Sequence, residues 1–95
     1  MILQRITFNV KVGCLNKLVE LINAARAQAT KEFRIYTSYI APLDKLVEEI
    51  EFENMAELEK FWADFWANPG TPELMDKFNQ LVETGGTNEV WNVVE

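Results

Sequence analysis

The segment NMAELEKFWADFW, residues 54–66, constrains this chain more than any other. Met55, Leu58, Phe61, Trp62, Phe65 and Trp66 recur with a period of about 3.6 residues, and Glu57, Glu59, Lys60 and Asp64 fall mostly on the opposite side. Asn54 followed by Glu57 has the spacing of a capping box, so the start of the helix is marked. A helix with so broad an aromatic stripe has to lie on a wide apolar platform. Strand-like segments stand on either side of it in the sequence.

Residues 2–12 alternate as a strand. Ile2, Ile6, Phe8, Val10 and Val12 share a core-like face, interrupted by Gln4. Leu3, Arg5, Thr7, Asn9 and Lys11 share a mixed face. Gly13 ends the strand, and a helix is predicted over residues 15–30 with Leu15, Leu18, Leu21, Ile22, Ala25 and Ala29 as its apolar stripe. Residues 32–40 are of strand-favouring types, with apolar groups on both sides that leave the facing open. Ala41-Pro42-Leu43-Asp44 reads as a turn.

A third strand is predicted over residues 45–53. Leu46, Ile50 and Phe52 face one way with Glu48 among them, and Val47, Glu49, Glu51 and Glu53 face the other. Asn68-Pro69-Gly70 stops the aromatic helix. Thr71 is the expected N-cap of a third helix, ahead of Pro72. Leu74, Met75, Phe78, Leu81 and Val82 form its apolar face, and Gly85 and Gly86 its end. Residues 89–94 form the last strand.

The resulting order, β-α-β-β-α-α-β, is that of two split β-α-β units around a hairpin. It predicts an α+β, ferredoxin-like fold: a four-stranded antiparallel sheet, helices on one face, first and third strands central. The other sheet face is left open. At 95 residues, 48% of them hydrophobic, the chain is expected to be a single domain over residues 1–95.

Composition excludes several functions. There is no histidine, and Cys14 is the lone cysteine. A Ser-His-Asp triad, a His-ligated haem and a His or all-thiolate zinc site are therefore ruled out within one chain, and no cofactor is expected. The net charge of -6 argues against nucleic acid and anionic membrane as partners. No apolar run approaches the roughly 20 residues that span a bilayer, and the first residues do not read as a signal peptide. A reducing cytoplasm suits the cysteine usage.

Three stretches carry a family resemblance: RITFNVKVGCLNKLVEL at residues 5–21, EIEFENMAELEKFWADF at residues 49–65 and NEVWNVV at residues 88–94. With them the chain resembles the dimeric α+β barrel superfamily, and within it the NIPSNAP-like domains. A strand ending Val-Lys-x-Gly before a helix is a fold signature there, although many relatives carry Pro where this chain has Val12. The resemblance implies a homodimer whose open sheet faces pack into a barrel, with a small-molecule ligand between sheet and helices or inside the barrel. The first functional expectation is thus an uncharacterised NIPSNAP-like dimeric barrel domain. The alternative is a cofactor-independent monooxygenase or isomerase acting on an aromatic or polyketide-like small molecule.

Arg5, Thr7 and Asn9 should neighbour Glu49 and Glu51 on the mixed face, as a polar ligand pocket or as a cross-strand ion pair within an interface. Tyr36 and Trp62 complete the expected ligand-binding set, with Trp66, Phe61 and Phe65 as cavity walls or simply core. Tyr39, Asn79 and Trp91 are further groups able to orient a substrate if they converge. Glu49, Glu51 and Glu53 alternate about 6 to 7 Å apart, wide for a single small cation. Cys14, ahead of a helix, reads as a structural thiol, having no histidine base and no second cysteine.

Overall fold

Alternation in the first segment produces the central strand. In the computed structural model, which describes residues 1–40 and 42–95, β1 spans Ile2–Val10. It pairs antiparallel with β3, Lys45–Phe52, from Ile2 opposite Phe52 to Asn9 opposite Lys45. Its other edge pairs with β4, Val82–Asn92, and β2, Arg34–Thr37, pairs with the far side of β3. The sheet order is β2-β3-β1-β4, all antiparallel, so β1 and β3 are central as expected.

Residues directly opposite in an antiparallel ladder point to the same side. One side therefore gathers Ile2, Gln4, Ile6, Phe8 and Val10 with Leu46, Glu48, Ile50 and Phe52. Three helices pack on it: α1 (Leu15–Arg26), α2 (Met55–Ala67) and α3 (Thr71–Asn79). The core they form comes in two clusters. Leu18 and Ile22 of α1 pack with Val10 and Leu46, joined by Phe8 and Phe78, whereas Leu58 of α2 packs with Ile50 and Phe52, joined by Phe61 and Trp62. Leu18, Leu46, Ile50 and Phe52 are essentially inaccessible to water. Burial of each such side chain stabilises the fold by about 1.5–3 kcal/mol.

Several predicted boundaries move. β1 stops at Val10, because the Lys11 amide donates to the Leu81 carbonyl and Gly13 turns the chain with φ 81°; Val12 is thrown into solvent. α1 ends at Arg26 rather than residue 30, where Gln28 and Ala29 donate to carbonyls three residues back and tighten the last turn. β2 is confined to Arg34–Thr37, the four residues that ladder with β3; beyond them the Ser38 amide still donates to the Lys45 carbonyl, and Tyr39 and Ile40 lie exposed. The expected turn at residues 41–44 begins on Ala41, outside the described residues; Asp44, which follows, has φ 54° and accepts a hydrogen bond from the Val10 amide.

The largest correction concerns residues 71–92. Gly70, not Thr71, is the N-cap of α3. Thr71, the first residue of α3, is buried, and its hydroxyl donates to the Phe65 carbonyl, so its side chain closes α2 instead of capping α3. α3 ends at Asn79, and Gly85 and Gly86 lie inside β4 rather than terminating a helix. The β1–β4 register shows why: Thr7 stands opposite Thr87, yet Asn9 stands opposite Glu83. Two residues of β1 thus span four of β4, a bulge with two extra residues. The glycines take φ 99° and 93°, and the Asn9 side-chain amide donates to the Thr84 carbonyl at 3.2 Å to hold the bulge shut.

A Cβ on Gly86 would lie 2.2 Å from the Thr7 carbonyl oxygen, a backbone atom of the central strand. Gly86→Ala is expected to destabilise the protein by about 2–3 kcal/mol, from positive-φ strain and this collision together. Urea unfolding of parent and variant measures the difference; unchanged stability would refute this account of the bulge.

Candidate functional site: the open sheet face

The helix-free side of the sheet carries the alternate residues. The register settles the facing of both edge strands: Arg34 and Tyr36 stand opposite Glu49 and Val47, and Glu89 and Trp91 stand opposite Arg5 and Leu3. All eight share the open face. Leu3 and Val47 are half-buried there, Tyr36 is exposed, and Trp91 keeps 52% of its surface in water.

Arg5 and Glu49 form the centre. The Arg5 Nε donates to Glu49 Oε2 at 2.7 Å, with the two side chains 42% and 17% exposed. Partial burial raises the Glu49 carboxyl, but the Arg5 hydrogen bond, the polar influence of Tyr36 and the charges of Arg5 and Arg34 outweigh it and hold it below the usual carboxylate range. An ion pair this accessible contributes at most about 1 kcal/mol to folding. Its effect is instead to present an oriented guanidinium and a carboxylate side by side. Thr7 stands between Val47 and Thr87, and Glu51 lies exposed opposite Leu3.

Of the sequence-derived set, Arg5, Thr7, Asn9, Tyr36, Glu49 and Glu51 come together on this face. Asn9 is already engaged: besides holding the bulge it accepts a hydrogen bond from the Lys45 ammonium. Trp62 is not with them. It lies across the sheet on α2, where its Nε1 donates to Gln4 Oε1 at 2.7 Å, while Gln4 Nε2 donates to Asn88 Oδ1 at 3.0 Å. Gln4, which interrupts the apolar alternation of β1, is thereby buried with both ends of its amide used.

Phe61, Trp62, Phe65 and Trp66 meet edge to face in a chain that starts at Phe52, with centroids 5.0–5.6 Å apart. The stripe is core in the middle and exposed at its ends: Met55 and Trp66, expected on the buried side, face solvent. Asn54 accepts from the Glu57 amide, and Glu57 turns back to the Glu53 amide and to Lys31. Tyr36 and Trp91 occupy opposite edge strands, and Asn79 sits on α3 away from both. Cys14 packs beside Leu18 and Val10 at the start of α1. Among the described residues no three acidic or cysteine side chains gather as a cation site.

Two open grooves mark the surface, one lined by Lys17, Glu20, Leu21, Lys77, Gln80 and Leu81, the other by Thr30, Lys31, Glu57, Lys60, Phe61 and Asp64. Neither includes a residue of the sheet face.

Glu48 stands apart from the residues of the open face. It lies on the helix side of β3, opposite Ile6 and Ile35 and between Leu46 and Ile50. Its signal was present as the only carboxylate in the core-facing alternation of residues 45–53. Burial pushes its carboxyl up to about 7. A raised carboxyl keeps its proton in the folded chain after the unfolded chain has lost it near 4.5, so the stability is full below that pH and declines as pH rises through about 7. The loss approaches about 3 kcal/mol. Glu48→Gln is expected to melt several degrees above the parent at pH 8 and to lose that advantage by pH 5. Thermal unfolding across this range tests it, and a pH-independent difference would contradict it.

The sequence matches no protein-family model and no curated protein. Solved structures match across nearly the whole chain. Atu4242 from Agrobacterium tumefaciens, a NIPSNAP-family protein of unknown function, superposes with a TM-score of 0.87 at 17% identity, over 99% of this chain and 94% of that one. An uncharacterised NIPSNAP-like domain protein from Burkholderia xenovorans gives 0.87 at 13% identity, over 98% and 84% of the two chains. An antibiotic biosynthesis monooxygenase gives 0.74 at 14% identity over the whole of both chains. The fold is therefore the ferredoxin-like α+β fold shared with NIPSNAP-family and antibiotic-biosynthesis-monooxygenase proteins, in line with the resemblance read from the sequence.

Proposed function

We propose that residues 1–95 form one domain that works as a homodimer, its two open sheet faces closing into an α+β barrel that holds a small molecule. The observation that carries this reading is the open face itself. Leu3, Val47, Tyr36 and Trp91 surround a paired Arg5 and Glu49, and no helix among the described residues covers them. An apolar and aromatic surface of this kind, interrupted by an oriented ion pair, is the chemistry of an interface or of a binding cavity rather than of a solvated face. Arg5, Thr7, Tyr36, Glu49 and Glu51 would line the enclosed space, with Asn9 at its bulged margin. Trp62 would meet a ligand only on the other side of the sheet, between sheet and α2.

The fold likeness to NIPSNAP-family proteins supports this reading and brings no reaction with it, since such folds host unrelated chemistries. A cofactor-independent monooxygenase or isomerase acting on an aromatic or polyketide-like molecule is the second reading, favoured by the likeness to an antibiotic biosynthesis monooxygenase. It requires a closed cavity. A single chain brings its proposed residues together only on an open surface, so such a cavity would arise from the dimer. No helix among the described residues is long and apolar enough to cross a membrane. The reading places the protein in a reducing cytoplasm, where the lone Cys14 stays a thiol.

Light scattering over a dilution series is expected to show a dimer at micromolar concentration; a stable monomer would end the proposal. Trp91→Asp puts a charge into the interface and is expected to weaken the dimer by more than about tenfold, a charge at a buried contact costing several kcal/mol. A variant that elutes and melts like the parent would remove Trp91 from the interface. Native mass spectrometry of the purified dimer tests for a retained small molecule.

A further inference from the structure

The helix side of the sheet is covered unevenly. Phe78 of α3 meets Phe8 edge to face at 4.9 Å, and the Trp62 indole of α2 bonds Gln4. Phe8 and Gln4 are four residues apart on β1, about 13 Å along the strand. Ile6 stands between them on the same side, opposite Glu48 of β3 and Asn88 of β4. Although it occupies the middle of the central strand, Ile6 packs against neither core cluster and is only half-buried. Asn88 and Val90, next to it on β4, are exposed. The aromatic rings of α2 and α3 thus straddle the Ile6 row without closing over it.

The Glu48 carboxyl belongs to this row. Among the described residues neither of its oxygens has a hydrogen-bond partner, and neither is sealed from water. The cations on this side of the sheet are engaged elsewhere. Lys31 bonds Glu57, Lys60 bonds Asp64 and Lys77 bonds Glu73, while Arg26 lies over the Phe33 ring and Lys17 lines an outer groove beside Glu20. Burial is the sole cause that raises Glu48, so no charge on α1, α2 or α3 acts on it. Carboxylates taken from water are ordinarily paired. Here the chain supplies an apolar row and a carboxyl, but no counter-charge.

We propose that the Ile6 row is a binding site for a small aromatic amine, with the ammonium on Glu48 and the ring over Ile6 between Trp62 and Phe78. The net charge of -6 favours the approach of a cation over that of an anion. The rings on either side suit an aromatic body, and Trp62 is held in place by its bond to Gln4. This site lies within a single chain, on the opposite side of the sheet from the proposed barrel, and does not depend on the dimer.

The proton balance gives the site a signature. An ammonium binds the carboxylate, so a Glu48 that is protonated in the free protein must release its proton to the buffer. Affinity is therefore full above the free carboxyl's value of about 7 and declines as pH falls below it. Between pH 8 and pH 6 the loss is about tenfold.

Calorimetric titration with 2-phenylethylamine tests this, with 2-phenylethanol as the uncharged counterpart. The parent is expected to bind the amine about tenfold more tightly at pH 8 than at pH 6, releasing a proton at pH 6 that is read from buffers of different ionisation enthalpy. Glu48→Gln is expected to lose at least about tenfold in affinity at pH 8 and to lose the pH dependence, its thermal transition showing that it is folded. The alcohol is expected to bind more weakly and without pH dependence. No binding of the amine at millimolar concentration, or equal binding by Glu48→Gln, would overturn the proposal. The indole N–H resonances locate the site: that of Trp62 should shift on titration and that of Trp91, on the open face, should not. A shift of Trp91 in place of Trp62 would assign the amine to carboxylates of the open face and overturn the proposal as well.

Discussion

The two-residue period of β1, imposed at the centre of the sheet, is the constraint on which the rest depends. β1 is hydrogen-bonded along both edges, so its alternation is transmitted to β3 on one side and β4 on the other, and through β3 to β2. A slip of one residue would exchange the two faces of the sheet wholesale. Leu46, Ile50 and Phe52 would lose Leu18 and Leu58, and Arg5 and Glu49 would meet the helices. The separation of a packed side from a bare side, and hence any role for the bare side, follows from this register.

On the packed side the polar groups are as informative as the apolar ones. Gln4 spends its carbonyl on Trp62 and its amide nitrogen on Asn88, so it ties α2 to β1 and β4 in a single network. A buried amide satisfied at both ends specifies one seating for the helix, where apolar packing alone would tolerate several. Glu48 lies one row away and is disfavoured as an anion by its surroundings. The pair marks the division between the α1 cluster and the α2 cluster, so the core of this small protein is not a uniform apolar layer.

On the bare side the bulge matters as much as the charges. The two extra residues of β4 restore the parity of the strand, so Glu83 and Glu89 emerge on the same face although the glycines between them break the ladder. Asn9 holds this geometry together, which explains a polar residue at that position without a direct role toward a ligand. The same device gives the face its acidic edge. A functional proposal for the face is thus inseparable from a structural feature of its edge strand.

Element types, their order and the sorting of β1 were legible in the sequence because they rest on local periods: two for strands, 3.6 for helices, and the Asn54–Glu57 cap. The pairing of Arg5 with Glu49 was also within reach, since the topology makes their strands neighbours. What Thr71, Gly85 and Gly86 do was not. A threonine ahead of proline and a pair of glycines look like the ends of a helix until α2 offers an unsatisfied carbonyl and β1 demands a bulge. Trp62 stands apart from Arg5 and Glu49 for a similar reason, its indole N–H having a partner 58 residues away. The sequence by itself determined the periodic faces, because each is written within ten or so residues. Tertiary structure alone decided which residues stand opposite one another across strands, since register is set by contacts between segments that the chain order keeps far apart.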